Sequence, residues 1–265
     1  MPPKKRTAAA GRPVEPVPGM ASVAAVGDAG PTRAGTVGVS VVVPWRPTPE
    51  RERLWSFLRP RWEALGYEVI EGSCPDDGPW CKGIAVAEGI GRASHGLFVV
   101  ADADVWCDGI PAAVKAVNGG GVRWAIPHHL VKRLTEAATS QTVEVGAWPE
   151  VRTMHTYADR PYIGHPGGGI VVLTRAAWDA APIDTRFAGW GQEDNSWALA
   201  LRILCGREWR GVDDLWHLWH APQLRQNRTT GSSAGALLYR RYWAARNSHR
   251  NMTALVAESR PVAVS

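Results

Sequence analysis

Asp102 and Asp104 close the run "GLFVVADAD" (96–104), in which five apolar or small residues lead into two acids one residue apart. Residues two apart in an extended chain point to the same side. Both carboxylates are therefore expected to face one way at the C-terminal edge of a buried strand. Such a pair can hold a hard divalent cation, and open α/β sheets bind ligands at that edge. The plain alternative is an ordinary acidic turn between strand and loop.

A second stretch, "LWHLWHAP" (215–222), carries His217 and His220. Neutral imidazole is a good ligand for Mn²⁺ or Zn²⁺. Read as a strand, the segment sends the two rings to opposite faces. His220, at the exit, is then the candidate ligand, and His217 is expected to be packed or hydrogen-bonded. The third stretch, "FAGWGQEDNSW" (187–197), places Trp190, Glu193 and Asp194 at a Gly-Trp-Gly turn before a helical pattern. The two acids suit the first turn of a helix, where the dipole favours negative charge. Either could also serve as a general base.

Smaller signals surround these. Arg46 follows the first strand in "VVPWR" and suits a phosphate or nucleobase. Lys82 can add charge to the same rim, and Asp76 and Asp77 can accept from a base or sugar. In "HPGGGIVVLTR" (165–175), three glycines before a strand let another backbone or a ligand come close.

The elements that must position these residues alternate. "VGVSVVVP" (37–44) reads as a buried strand. Thr48-Pro49-Glu50 starts a helix that runs towards Leu65, with a kink or break at Pro60. Strand 67–72, helix 80–94 and strand 96–104 follow. A helix near 111–117 and strands at 122–127 and 167–174 come next. Then come a helix at 193–206 ended by Gly206, a strand at 212–220, and an Arg-rich helix from about Ser233. The order predicts an α/β domain, a mainly parallel central sheet flanked by helices. It divides the chain into a Pro/Ala/Gly-rich disordered tail (1–36), an α/β domain (37–225) and a basic helical extension (226–265).

Composition excludes several classes. The chain has 265 residues, 45% hydrophobic and 21% charged, as expected of an ordinary globular protein. No apolar run is long enough to span a membrane. The net charge of +5 is mild and sits partly in Lys4, Lys5 and Arg6, a weak basis for nucleic-acid binding. Cys74, Cys81, Cys107 and Cys205 form no CxxC pair, and the amino terminus lacks a continuous apolar leader core. Free thiols in a reducing compartment are expected, the cytoplasm of a bacterial or phage-infected cell.

Taken in order, "VVPWR", "WCKG", "DAD", "GGGIVVLTR", "FAGWGQED" and "LWHLWHAP" resemble the inverting glycosyltransferases of GT-A fold. The β1,4-galactosyltransferase-like and chondroitin-polymerase-like branch is the nearest in pattern, over about residues 38–222. The resemblance implies a Rossmann-like GT-A domain that uses Mn²⁺ or Mg²⁺. It implies a nucleotide-sugar donor, a UDP-sugar, and a glycan or protein acceptor. It implies that Pro44 and Arg46 line the nucleotide site and that Lys82 approaches the phosphates or base. Asp104 would bind the metal, with His220 as a further ligand and Asp102 supporting the ribose or the metal shell. Gly168 and Gly169 would border the donor sugar, and Trp190 would pack against the sugars. Glu193 and Asp194 would line the acceptor side, with Asp194 in the position of the base. The sequence departs from the pattern at Gln192, often Gly, at Asn195, often an acid, and at Cys81-Lys82, where Asn or Arg is frequent. A sugar nucleotidyltransferase is the main rival, but "PWRPTPER" lacks the Gly-rich signature after the first strand. A non-catalytic carbohydrate-binding protein is the other, and the full set of acids argues against it.

Overall fold

The computed structural model describes residues 37–75, 78–149, 158, 161–189, 191–221 and 234–259. The tail 1–36, Asp76 and Trp190 lie outside them.

Eight strands form one sheet: β1 (Val39–Pro44), β2 (Glu68–Gly72), β3 (Leu97–Ala101), β4 (Val105–Trp106), β5 (Trp124–Arg133), β6 (Tyr162–Ile163), β7 (Ile170–Thr174) and β8 (Trp209–His217). Their order is β2-β1-β3-β7-β5-β8-β4, with β6 added on β5. Strands β1, β2, β3, β5 and β8 run one way. β7 and the two-residue strands β4 and β6 run the other. The helices are α1 (Pro49–Ala64), α2 (Lys82–Arg92), α3 (Ile110–Asn118), α4 (Glu136–Val145), α5 (Arg175–Ala180), α6 (Glu193–Cys205), α7 (Ala234–Ala245) and α8 (His249–Ala257). This is the mixed α/β layering that the alternation predicts.

The period-2 pattern of the strands splits the interior into two cores. Val41, Val43, Val99, Ala101 and Val172 face one side and pack with α1 and α3. Val42, Phe98, Val100, Val171 and Leu173 face the other and pack with α2, α5, α6, α7 and α8. Each central strand is buried on both faces, so it reads as a continuous apolar run.

Three local expectations are corrected. Helix α1 does not break at Pro60 but runs through it to Ala64. Leu58 and Trp62, on either side of that proline, are fully buried. Each contributes roughly 2 kcal/mol of apolar burial, enough to offset a cost of about 3 kcal/mol for an internal proline. Strand β5 does not stop at Pro127 but continues to Arg133. Its pairing with β8 shifts register between Ile126 and His128, so the missing proline N–H falls at a bulge. Strand β3 ends at Ala101, before the two acids. Asp102 and Asp104 therefore sit in a turn, and strand alternation does not govern where they point.

Candidate functional site

The turn after β3 sends its two acids in different directions. Asp104 meets the histidines at the end of β8: its Oδ2 lies 3.1 Å from His220 Nε2. One ligand atom from each of Asp104, His217 and His220 falls within 4.8 Å of the others. His217, expected to face away, belongs to this cluster. It is the last residue of β8, and the chain leaves the strand at Leu218, so alternation does not extend to His220. The two rings lie 5.4 Å apart.

Backbone carbonyls fix both tautomers. His217 Nδ1 lies 2.8 Å from the Leu218 oxygen and His220 Nδ1 lies 3.0 Å from the Ala221 oxygen. A carbonyl only accepts, so each Nδ1 carries a proton and donates, which leaves Nε2 to act as ligand. Asp104 Oδ1 is buried with no hydrogen-bond partner. Burial opposes the Asp104 charge, but His217 and His220 outweigh it and hold the carboxyl well below its usual range. Burial pushes the His217 ring down, towards the neutral form. An anionic oxygen, two imidazole nitrogens and an orphaned buried oxygen fit a divalent cation such as Mn²⁺.

Asp102 turns the other way. Its Oδ1 lies 2.8 Å from Lys82 Nζ, and the same ammonium lies 2.9 Å from Asp194 Oδ1. Lys82, at the start of α2, is only 8% exposed. Burial works against its charge, and the two acids more than restore it. Lys82 thus ties the β3 turn to the first turn of α6.

The residues that lead into α6 have unusual backbone angles. Gly189 and Gly191 have positive φ, as does Gln192 at φ 75°, the lone non-glycine with that conformation among the described residues. A residue with a Cβ is strained there by about 1–2 kcal/mol. That explains why glycine would suit the position. Gln192 Oε1 accepts from Asn195 Nδ2 at 2.8 Å, and Glu193 Oε2 accepts from the Gly191 amide at 2.8 Å. Glu193 is thereby bonded to the backbone just before its own helix, and Asp194 is the acid paired with Lys82. Burial, with Glu193 and Asp102 adding like charge, pushes the Asp194 carboxyl up to about 7 against the pull of Lys82.

Both groups open on one cavity of about 870 Å³, within the range of small-molecule sites. Asp104, His217 and His220 line one part, and Lys82, Glu193 and Asp194 another, with Gly168 and Gly169 also in the wall. Pro44 lines it too. Arg46 turns to the loop before α2: it donates to the Pro75 carbonyl at 2.9 Å and lies 5.3 Å over the Trp80 ring. Trp80 itself lines the cavity. Arg51 and Arg133 were missed by motif reading, yet both line the cavity. The charge of Arg51 acts on Asp104 and that of Arg133 on His217. Arg51 is in the first turn of α1, and Arg133 is on the part of β5 beyond Pro127.

The glycine run has a definite occupant. A methyl group added at Gly167 would lie 1.9 Å from the Asp194 carbonyl oxygen. That oxygen belongs to a helix backbone and cannot swing aside. Gly167→Ala is expected to displace the first turn of α6 and to destabilise the fold by about 1–3 kcal/mol, the usual cost of overpacking. Gly168→Ala meets only Asp194 Oδ2, at an ordinary 3.5 Å, and should cost less stability. Melting curves check both; equal melting temperatures for Gly167→Ala and wild type would refute the packing argument.

No family model matches the chain, and no curated protein does. Among solved structures, one that matches is a mutant of the Drosophila β1,4-galactosyltransferase 7 in complex with manganese, UDP-Gal and xylobiose. It is 12% identical over 75% of this chain and 80% of its own, with a TM-score of 0.43.

Proposed function

We propose that the protein is a metal-dependent inverting glycosyltransferase. It moves a sugar from a nucleotide-sugar, a UDP-sugar, to a hydroxyl of a glycan or protein acceptor. The observation that carries this reading is the pairing in one cavity of a carboxylate–imidazole trio with a separate buried carboxyl, Asp194, held by Lys82. The ordered motifs from "VVPWR" to "LWHLWHAP" support it.

Asp104, His217 and His220 would hold the cation, Mn²⁺ or Mg²⁺. When bound, it supplies charge neutralisation for the donor diphosphate. Arg51 and Arg133 add positive charge to the same region. Asp194 receives the acceptor hydroxyl proton as the new carbon–oxygen bond forms and the bond to the diphosphate breaks. A base with its pKa near the working pH does this well. Lys82 holds Asp194 Oδ1, and Glu193 steadies the turn. Attack from the side opposite the leaving diphosphate inverts the anomeric carbon.

A thermal-shift screen of UDP-, GDP- and dTDP-sugars, each with and without Mn²⁺, tests the assignment. A ligand at 100 times its Kd adds about 2.7 kcal/mol to the folded state, roughly 5–10 °C for a chain of this size. UDP-sugars are expected to give that shift only with Mn²⁺, and turnover should release UDP rather than pyrophosphate. No shift with any nucleotide-sugar would overturn the proposal.

A further inference from the structure

The two halves of the site are carried by different cores. Val105, Trp106, Leu215, Trp216 and Leu218, which flank the Asp104–His217–His220 trio, lie in the core under α1 and α3. Phe187 and Trp197, which bracket the Asp194 turn, lie in the opposite core with Leu238, Tyr242 and Leu255 of the C-terminal helices.

A polar network joins those helices to the segment that leads into the Asp194 turn. Asp184, only 3% exposed, follows α5 and stands ten residues before Asp194. Its Oδ1 accepts from the Arg186 amide and Nε, both at 2.9 Å, and its Oδ2 accepts from Arg186 Nη2 at 2.7 Å. Tyr242 of α7, 1% exposed, donates its hydroxyl to the same Oδ2 at 2.8 Å. Arg186 continues to the Leu255 carbonyl of α8 at 3.0 Å and to Glu258 at 2.7 Å. Next to this knot, Cys81, one residue before Lys82, donates to the Thr185 carbonyl at 3.3 Å. The Gly189 amide donates to the Trp80 carbonyl at 2.7 Å. A methyl group added at Gly235, in the first turn of α7, would lie 3.6 Å from the Gly191 carbonyl oxygen. Residues Asp184 to Gly189 are therefore held at several points by groups from α7, from the end of α8 and from the residues just before α2.

We propose that Tyr242 is a positioning residue for Asp194. Through the Asp184–Arg186 pair, the C-terminal helices set the place of the base while the metal-ligand trio keeps its own support. A charge-bearing buried knot of this kind holds one geometry because any displacement leaves an ionised group unpaired. Tyr242→Phe removes one hydroxyl and keeps the ring packed against Phe187, 6.1 Å away between centroids.

The inference rests on the glycosyltransferase reading for its catalytic meaning, but its test does not need transfer activity. Amide hydrogen exchange of the full chain would be followed by mass spectrometry, alongside calorimetric binding of UDP in the presence of Mn²⁺. For Tyr242→Phe, exchange over residues 187–197 is expected to rise about tenfold. UDP–Mn²⁺ affinity should stay within about twofold of wild type, while kcat falls with the donor KM unchanged. If Tyr242→Phe does not fold, Glu258→Gln decides: it loosens Arg186 from the helix end and should raise exchange over the same residues by a smaller factor. Unchanged exchange over 187–197 would overturn the proposal. So would a loss of UDP–Mn²⁺ affinity as large as the rise in exchange, since the halves would then not be separately held. Wild type that binds no UDP with Mn²⁺ would instead count against the glycosyltransferase reading, with the exchange result still deciding the role of Tyr242.

Discussion

Asp194→Asn is expected to lower the transfer rate by about 10²–10⁴-fold, the usual worth of a positioned general base, while UDP–Mn²⁺ binding is kept. The carboxyl sits in the same cavity as the trio but outside it, so its loss leaves Asp104, His217 and His220 in place. The wild-type rate should follow the ionisation of the group. A base works deprotonated, so kcat rises with pH through about 7 and then levels, and the residual rate of Asp194→Asn lacks that rise. Stability should move in the opposite sense. A carboxyl whose folded pKa lies above its ordinary value stabilises the fold at low pH, and that contribution is lost as pH rises through about 7. Asparagine carries no charge at any pH. The variant should therefore melt at or above the wild-type temperature at pH 8.5, with the gap closing towards pH 5. Rate–pH profiles and melting curves at the two pH values check this. A variant that lost nucleotide binding in proportion to rate would show that Asp194 holds substrate instead of taking its proton.

Asp104→Ala is expected to weaken Mn²⁺ binding at least about 100-fold, roughly 2.8 kcal/mol, and to abolish metal-dependent turnover. Asp104 is the sole anionic member of the trio. Without it the two imidazoles keep their carbonyl contacts but lose the charge that attracts a dication. His220 should report the change before any metal is added. The hydrogen bond to Asp104 holds the ring pKa above its usual value, and the alanine variant should let it fall. Following His220 by NMR and titrating Mn²⁺ by calorimetry would test both. Unaltered Mn²⁺ affinity would remove Asp104 from the metal site.

Much of this site is local in the chain and so was legible. Asp104, His220, Glu193 and Asp194 each stand at the end of an element whose apolar pattern is clear, and element ends at one edge of an α/β sheet converge. The acids of α6 stand in its first turn, as the helical pattern suggested, and both line the cavity. Helix α4 carries local signals of its own: Thr135 caps it and Gly146 closes it at φ 79°. Arg133 was hidden because Pro127 suggests a strand end, and only the pairing partner β8 reveals the bulge.

The sequence by itself determined most of the central strands and where α1 and α6 begin. Those features depend on residues near one another in the chain, through periodicity, capping and turn chemistry. Only the tertiary structure decided how the groups pair. It gave Asp102 to Lys82 and Asp104 to the histidines, brought His217 into the cluster, and turned Arg46 to its own loop. It also placed the Asp194 backbone against Gly167 and joined Tyr242 to Asp184. Each of these is a contact between distant segments. Its geometry follows from how two cores pack on opposite faces of one sheet, and no spacing along the chain encodes it.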